Sequence, residues 1–147
     1  MNTHILLVGE EKKELEIFEE TLKQMHGAVS YVYAGEGLHA LEIVQHNKPD
    51  IVFINYNIQP ADSLKFLSVI KSEPKMRSIR VFLYATFISE EINKMARMLG
   101  ASGCIEKTNC VTTFIRELKA ILDPRLLPGY IFLKRLTNSL GTLSCLD

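Results

Sequence analysis

The sequence predicts an α/β fold, a doubly wound parallel sheet with helices on both faces, and three observations carry that expectation. Short β-rich apolar runs alternate with stretches whose apolar residues recur at helical spacing, in five such units. One run, Ile51–Ile54, is apolar at every position, as a strand covered on both sides must be. The 147 residues, 47% of them hydrophobic, suffice for one domain with a sizeable core.

The first run, His4–Val8, precedes a helix over Glu10–Met25, with Leu15, Phe18, Leu22 and Met25 on one side. Val29–Tyr33 reads as the second strand, and Leu38, Leu41 and Val44 mark a helix over Leu38–His46. After Ile51–Ile54, the residues Leu64, Phe66, Leu67, Val69 and Ile70 belong to a helix ending near Glu73-Pro74. Val81–Ala85, Glu90–Leu99, Gly103–Ile105 and Val111–Leu122 complete the alternation, and Pro124 with Pro128-Gly129 stops it. Beyond, Tyr130, Leu133, Leu136 and Leu140 fit a short amphipathic helix whose apolar stripe needs a cover. The expected organisation is one domain over residues 1–123 and a C-terminal extension over 124–147, made of that helix and a tail.

Composition removes several classes of function. Seventeen Lys and Arg balance seventeen Asp and Glu, so no bulk positive field draws in nucleic acid or anionic lipid. Cys104, Cys110 and Cys145 are an odd number at spacings unlike a zinc or redox motif, which points to no disulfide scaffold and to a reducing compartment. The N-terminal MNTHILLVGEE holds a four-residue apolar run, too short for a signal peptide or a membrane span, so a cytoplasmic location is expected.

In such a sheet, ligands bind beyond the C-terminal ends of the strands. The residues there are Gly9-Glu10-Glu11, Asn55, Ala85-Thr86 and Lys107. Gly35-Glu36-Gly37-Leu38-His39-Ala40 matches the dinucleotide pattern G-x-G-x-x-A, but it follows the second strand, and Asn55 stands where an acidic partner is needed. It reads as a turn into a helix. His4, His26, His39 and His46 are scattered without metal-ligand spacing, and no nucleophile elbow or Walker loop occurs.

Taken together, ILLVGEE, KPDIVFINYNIQPADSLKFL, VFLYATFISEE and GASGCIEKT resemble the receiver domain of bacterial two-component response regulators, from His4 to Leu122. The resemblance implies a flavodoxin-like sheet of five strands in the order 2-1-3-4-5. It implies a pair of acidic residues after the first strand and an Asp ending the third, which together hold Mg²⁺. That Asp accepts a phosphoryl group; a Thr or Ser ends strand four and a Lys ends strand five. Here the acidic pair falls on Gly9 and Glu10, and the phospho-acceptor position on Asn55. The hydroxyl position falls on Ala85, next to Thr86, and the aromatic switch position on Cys104. Only Lys107 matches in full. Thr108 stands where the family has a proline after a cis bond, which before a non-proline residue costs about 3–4 kcal/mol.

An aspartate accepts phosphate as an anionic nucleophile, which a neutral asparagine amide is not. Asp50 begins the same strand, about 16 Å away at the opposite edge. Asp62, beyond Pro60, reads as a helix N-cap. Mg²⁺ wants hard anionic oxygens, and Glu10 facing Lys107 leaves the pocket near neutral, so neither Mg²⁺ nor another cofactor is expected. Lys107 is expected to pair with Glu10 or the Asn55 oxygen. The reading that follows is a pseudo-receiver: a non-enzymatic signalling module acting by phosphorylation-independent protein contact. Its partner would be a histidine kinase or another regulator, with homodimerisation left open and no nucleic acid or membrane. The alternatives are a receiver still phosphorylated or anion-switched in an altered pocket, and a small-ligand binder using Lys107, which needs a deep pocket.

Overall fold

The computed structural model describes residues 3–9, 12–25, 29–56, 60–123 and 129–135. Strands and helices alternate as β1 (Thr3–Val8), α1 (Lys12–Gln24), β2 (Val29–Ala34), α2 (Gly37–His46), β3 (Ile51–Asn55) and α3 (Pro60–Ser72). They continue as β4 (Arg80–Ala85), α4 (Glu90–Met98), β5 (Gly103–Glu106), α5 (Val111–Leu122) and β6 (Ile131–Leu133). All pairings are parallel, in the order β2-β1-β3-β4-β5-β6. The doubly wound flavodoxin-like class holds, with one strand more than the five expected.

That extra strand corrects the expected C-terminal helix. Ile131–Leu133 runs beside Gly103–Ile105 instead of coiling. The local pattern explains why: Ile131 and Leu133 pack into one apolar layer, while Tyr130 and Phe132 pack into the other. This is the two-residue period of a strand. The helical spacing of Tyr130 and Leu133 passed over Ile131 and Phe132 between them. Leu136 and Leu140 lie outside the described residues.

Each face of the sheet carries its own core. On one side β-strand residues such as Leu6, Val52 and Leu83 meet Ala40 and Val44 of α2, Phe66 and Leu67 of α3, and Ala96 of α4. On the other, Phe53, Phe82 and Tyr84 meet Phe18 of α1 and Phe114 and Leu118 of α5. Phe18 sits at the centre of this second layer, with ring centroids 5.3 Å from Phe53, 5.3 Å from Tyr84 and 4.8 Å from Phe114. Tilted and edge-on contacts of this kind add to the area they bury.

Chain ends of the elements follow local chemistry. Ser89 caps α4 by accepting the Ile92 N–H at 3.1 Å, with Glu90 and Glu91 in the positive first turn. Asp62 lies within the first turn of α3, not at its N-cap as expected, because the helix already starts at Pro60. Asp50 precedes β3 at the far edge of the sheet, where its carboxylate accepts the His4 N–H at 2.8 Å. Among the described residues no peptide bond is cis, so the step from Lys107 to Thr108 is trans. Cys104 is a free, buried thiol.

Truncating Phe18 to Ala opens a hole among three rings and is expected to lower stability by roughly 3–5 kcal/mol. Urea unfolding followed by far-UV circular dichroism measures it, and a loss below half of that would mean the layer closes over the gap.

Candidate functional site

The strand ends place Asn55, Ala85 and Lys107 along one edge of the sheet. Asn55 is the last residue of β3 and is buried at 2% exposure. Its Nδ2 donates to the Gly9 carbonyl at 3.1 Å, and its own backbone carbonyl accepts the Ser63 hydroxyl at 3.4 Å. Gly9 turns the chain out of β1 with φ of 72°, the left-handed region, and its N–H donates to the Ala34 carbonyl at 2.8 Å. A side chain at Gly9 would find only ordinary contact with the Asn55 Cβ at 3.8 Å, so backbone conformation and not space selects glycine.

Ala85 ends β4 fully buried, and the register from Tyr84 and Ala85 to Ile105 and Glu106 is unbroken. Thr86 lies past the strand and is exposed. Lys107 follows β5; its N–H donates to the Ala85 carbonyl at 2.7 Å, and its Nζ stands 5.5 Å from the centre of the Tyr84 ring. That ring in turn stacks on Phe114 of α5 at 5.8 Å. The lysine is therefore seated partly as a cation on an aromatic face. Glu10, its expected ionic partner, lies outside the described residues.

Beside Asn55 a cleft opens to Gly9, Glu36, Asp62 and Ser63, with an interior of about 20 Å³. That is room for about one water, far below the few hundred Å³ of a small-molecule pocket. Gly35–Gly37 forms the rim and leads into α2, as a turn should. Among the described residues the donor set does not fit a divalent cation. Gly9 has no side chain, Asn55 turns its amide N–H₂ toward a carbonyl, and among the described residues no three His, Cys, Asp or Glu side chains gather around one point.

Cys104 is fully buried on β5, its Sγ 3.2 Å from the Tyr130 hydroxyl. Tyr130 donates to the Asn93 Oδ1 on α4 at 2.7 Å, and between its hydroxyl and the Cys104 thiol either group can be the donor. Burial pushes the Cys104 thiol up from its ordinary pKa, opposed by the bond to Tyr130; burial also pushes the Tyr130 hydroxyl well up. The Tyr130 ring, just before the sixth strand, thus stands beside Cys104.

Sequence reasoning missed Glu106. It is buried at 3% exposure, and its two carboxylate oxygens accept the Ile88 and Arg135 N–H groups, each at 2.7 Å. A charged residue at the end of the apolar Gly103–Ile105 run was the available signal, since a buried carboxylate is rare unless partnered.

Comparison with known proteins bears on the family and the fold. A family model described as the response regulator receiver domain matches residues 5–119. The polar-differentiation response regulator DivK of Brucella anthropi is 20% identical over 122 residues, covering 83% of this chain and 98% of its own. The crystal structure of the phosphorylated cyanobacterial phytochrome response regulator RcpA superposes with a TM-score of 0.73 at 21% identity, covering 88% of this chain and 97% of that one. The chemotaxis response regulator CheY4 of Vibrio cholerae gives 0.71 at 17%, covering 82% and 99%. At such identities the structures speak for the fold.

Asn55→Ala removes a buried donor from the Gly9 carbonyl and is expected to lower stability by about 1–3 kcal/mol. Lys107→Met loses a cation over a ring on a half-buried stem and is expected to change it by about 1 kcal/mol or less. Urea midpoints of the two variants rank them, and the reverse order would contradict the roles given to both residues.

Proposed function

The chain belongs to the response regulator receiver domain family, the signalling modules of two-component systems, and on that premise we propose that its signalling does not pass through an aspartyl phosphate. The observation that carries this reading is the Asn55 amide, buried at the end of β3 and donating to Gly9. In this reading Asn55 occupies the phospho-acceptor position. Acyl phosphate formation needs an anionic oxygen nucleophile, and the amide offers a neutral oxygen and a nitrogen whose lone pair is delocalised.

The neighbouring positions support the same reading. Gly9 brings no carboxylate, Ala85 brings no hydroxyl, and Lys107, the matching residue, rests over Tyr84. Without the phosphoryl group the conformation is set by whatever binds one state better than another. We assign that role to a protein partner, a histidine kinase or a second regulator, met in the cytoplasm and without catalysis by this chain. Among the described residues no helix is long and apolar enough to cross a membrane.

Incubating the purified chain with acetyl phosphate and Mg²⁺ is expected to leave its intact mass unchanged. Beryllofluoride with Mg²⁺ is expected to leave the amide resonances of Asn55, Ala85 and Lys107 in place. A stoichiometric, acid-labile adduct on any carboxylate, Asp62 at the cleft included, would overturn the proposal in favour of a receiver phosphorylated in an altered pocket.

A further inference from the structure

The outer edge of β5 is shaped to admit one particular strand. Ile131–Leu133 pairs with Gly103–Ile105, and the Ile131 N–H donates to the Ser102 carbonyl at 3.0 Å. A Cβ at position 103 would lie 2.2 Å from the Ile131 carbonyl oxygen, closer than atoms approach. A side chain at position 103 and a seated β6 therefore exclude one another.

Side chains on two different helices hold the ends of this segment. At its start the Tyr130 hydroxyl bonds Asn93 of α4, and the Arg97 guanidinium stands 5.2 Å over the Tyr130 ring. At its end the Arg135 guanidinium forks onto both oxygens of Glu117 on α5, and its Nε donates to the Glu106 carbonyl at 3.0 Å.

The same segment reaches the loop between β4 and α4. The Glu106 carboxylate is divided between them, one oxygen taking the Arg135 N–H and the other the Ile88 N–H. A second contact is direct: the Lys134 Nζ stands 5.2 Å over the ring of Phe87, which is 64% exposed. If the segment lifts away, Glu106 loses one N–H partner and the nearby guanidinium. A buried carboxylate left short of partners turns to water or draws water in, and either movement releases Ile88.

We propose that Tyr130–Arg135 is a displaceable strap, and that its seating sets the loop between β4 and α4 through Glu106. Coupling of this kind is reciprocal, so a partner that pulls on the loop loosens the strap. The proposal does not depend on whether the chain is phosphorylated, because Glu106, Arg135 and Gly103 take no part in that chemistry.

The test uses the full chain with Gly103→Ala, followed by amide hydrogen exchange and by iodoacetamide labelling of Cys104 read at the peptide level. Exchange at 131–133, alkylation of Cys104 and exchange at Ile88 are each expected to accelerate about tenfold or more, with β1 and β3 unchanged. A strap that stays protected in this variant would overturn the exclusion argument. A freed strap with Ile88 unchanged would overturn the coupling. Should Gly103→Ala fail to fold, Arg135→Met removes the fork while keeping the stem, and faster exchange at Ile88 is again expected. An unchanged Ile88 in that variant would overturn the proposal equally.

Discussion

Because β3 buries all five of its residues between two layers of helices, polar chemistry can enter the centre of this sheet only where strands end. That constraint places the two buried polar side chains that the strands carry among the described residues. Asn55 closes β3 and Glu106 closes β5, and both are buried with hydrogen-bond partners. Each ties a strand end to a neighbouring turn: Asn55 to the turn at Gly9, Glu106 to the loop at Ile88. The edge is held by hydrogen bonds that the chain makes with itself.

Lys107 adds a mechanical link of another kind. Its cation rests on Tyr84, and Tyr84 lies flat against Phe114, the rings only 3° from parallel. The end of β5 is thereby joined through one aromatic ring to α5. Glu106, the residue before it, reaches the opposite way to Ile88. Ile88 packs in one apolar layer and Tyr84 in the other, so Glu106 and Lys107 connect the end of β5 to both helical layers.

The sequence made most of this fold legible for a physical reason. Strands covered on both sides must be apolar throughout, and helices covered on one side must repeat every third or fourth residue, so Ile51–Ile54 and the stripe through Phe18 announced themselves. Helix α5 runs over Val111–Leu122, the range read from its pattern. The strand-end positions of Asn55, Ala85 and Lys107 were legible through their fixed spacing. The sixth strand was not, because three residues are too few to display a period and Tyr130 with Leu133 also satisfied a helical one. What decides for a strand lies far away in the chain: the missing Cβ at Gly103, and Arg135 meeting Glu106 across 29 positions. Two hints stood in the open, a glycine opening a strand and a carboxylate at the end of an apolar run.

The added strand also changes how the sheet ends. Its rim is now β6, three residues followed at once by Lys134 and Arg135, a short edge guarded by cations. The other rim, β2, reads Val-Ser-Tyr-Val-Tyr-Ala, six residues with neither charge nor proline, and Val32 and Tyr33 are 52% and 39% exposed. Among the described residues one rim is therefore guarded against foreign strands and the other is not. Any edge-to-edge contact through β2 uses the same strand on both chains and is complete at two, so growth into a fibre finds no second sticky rim to continue from.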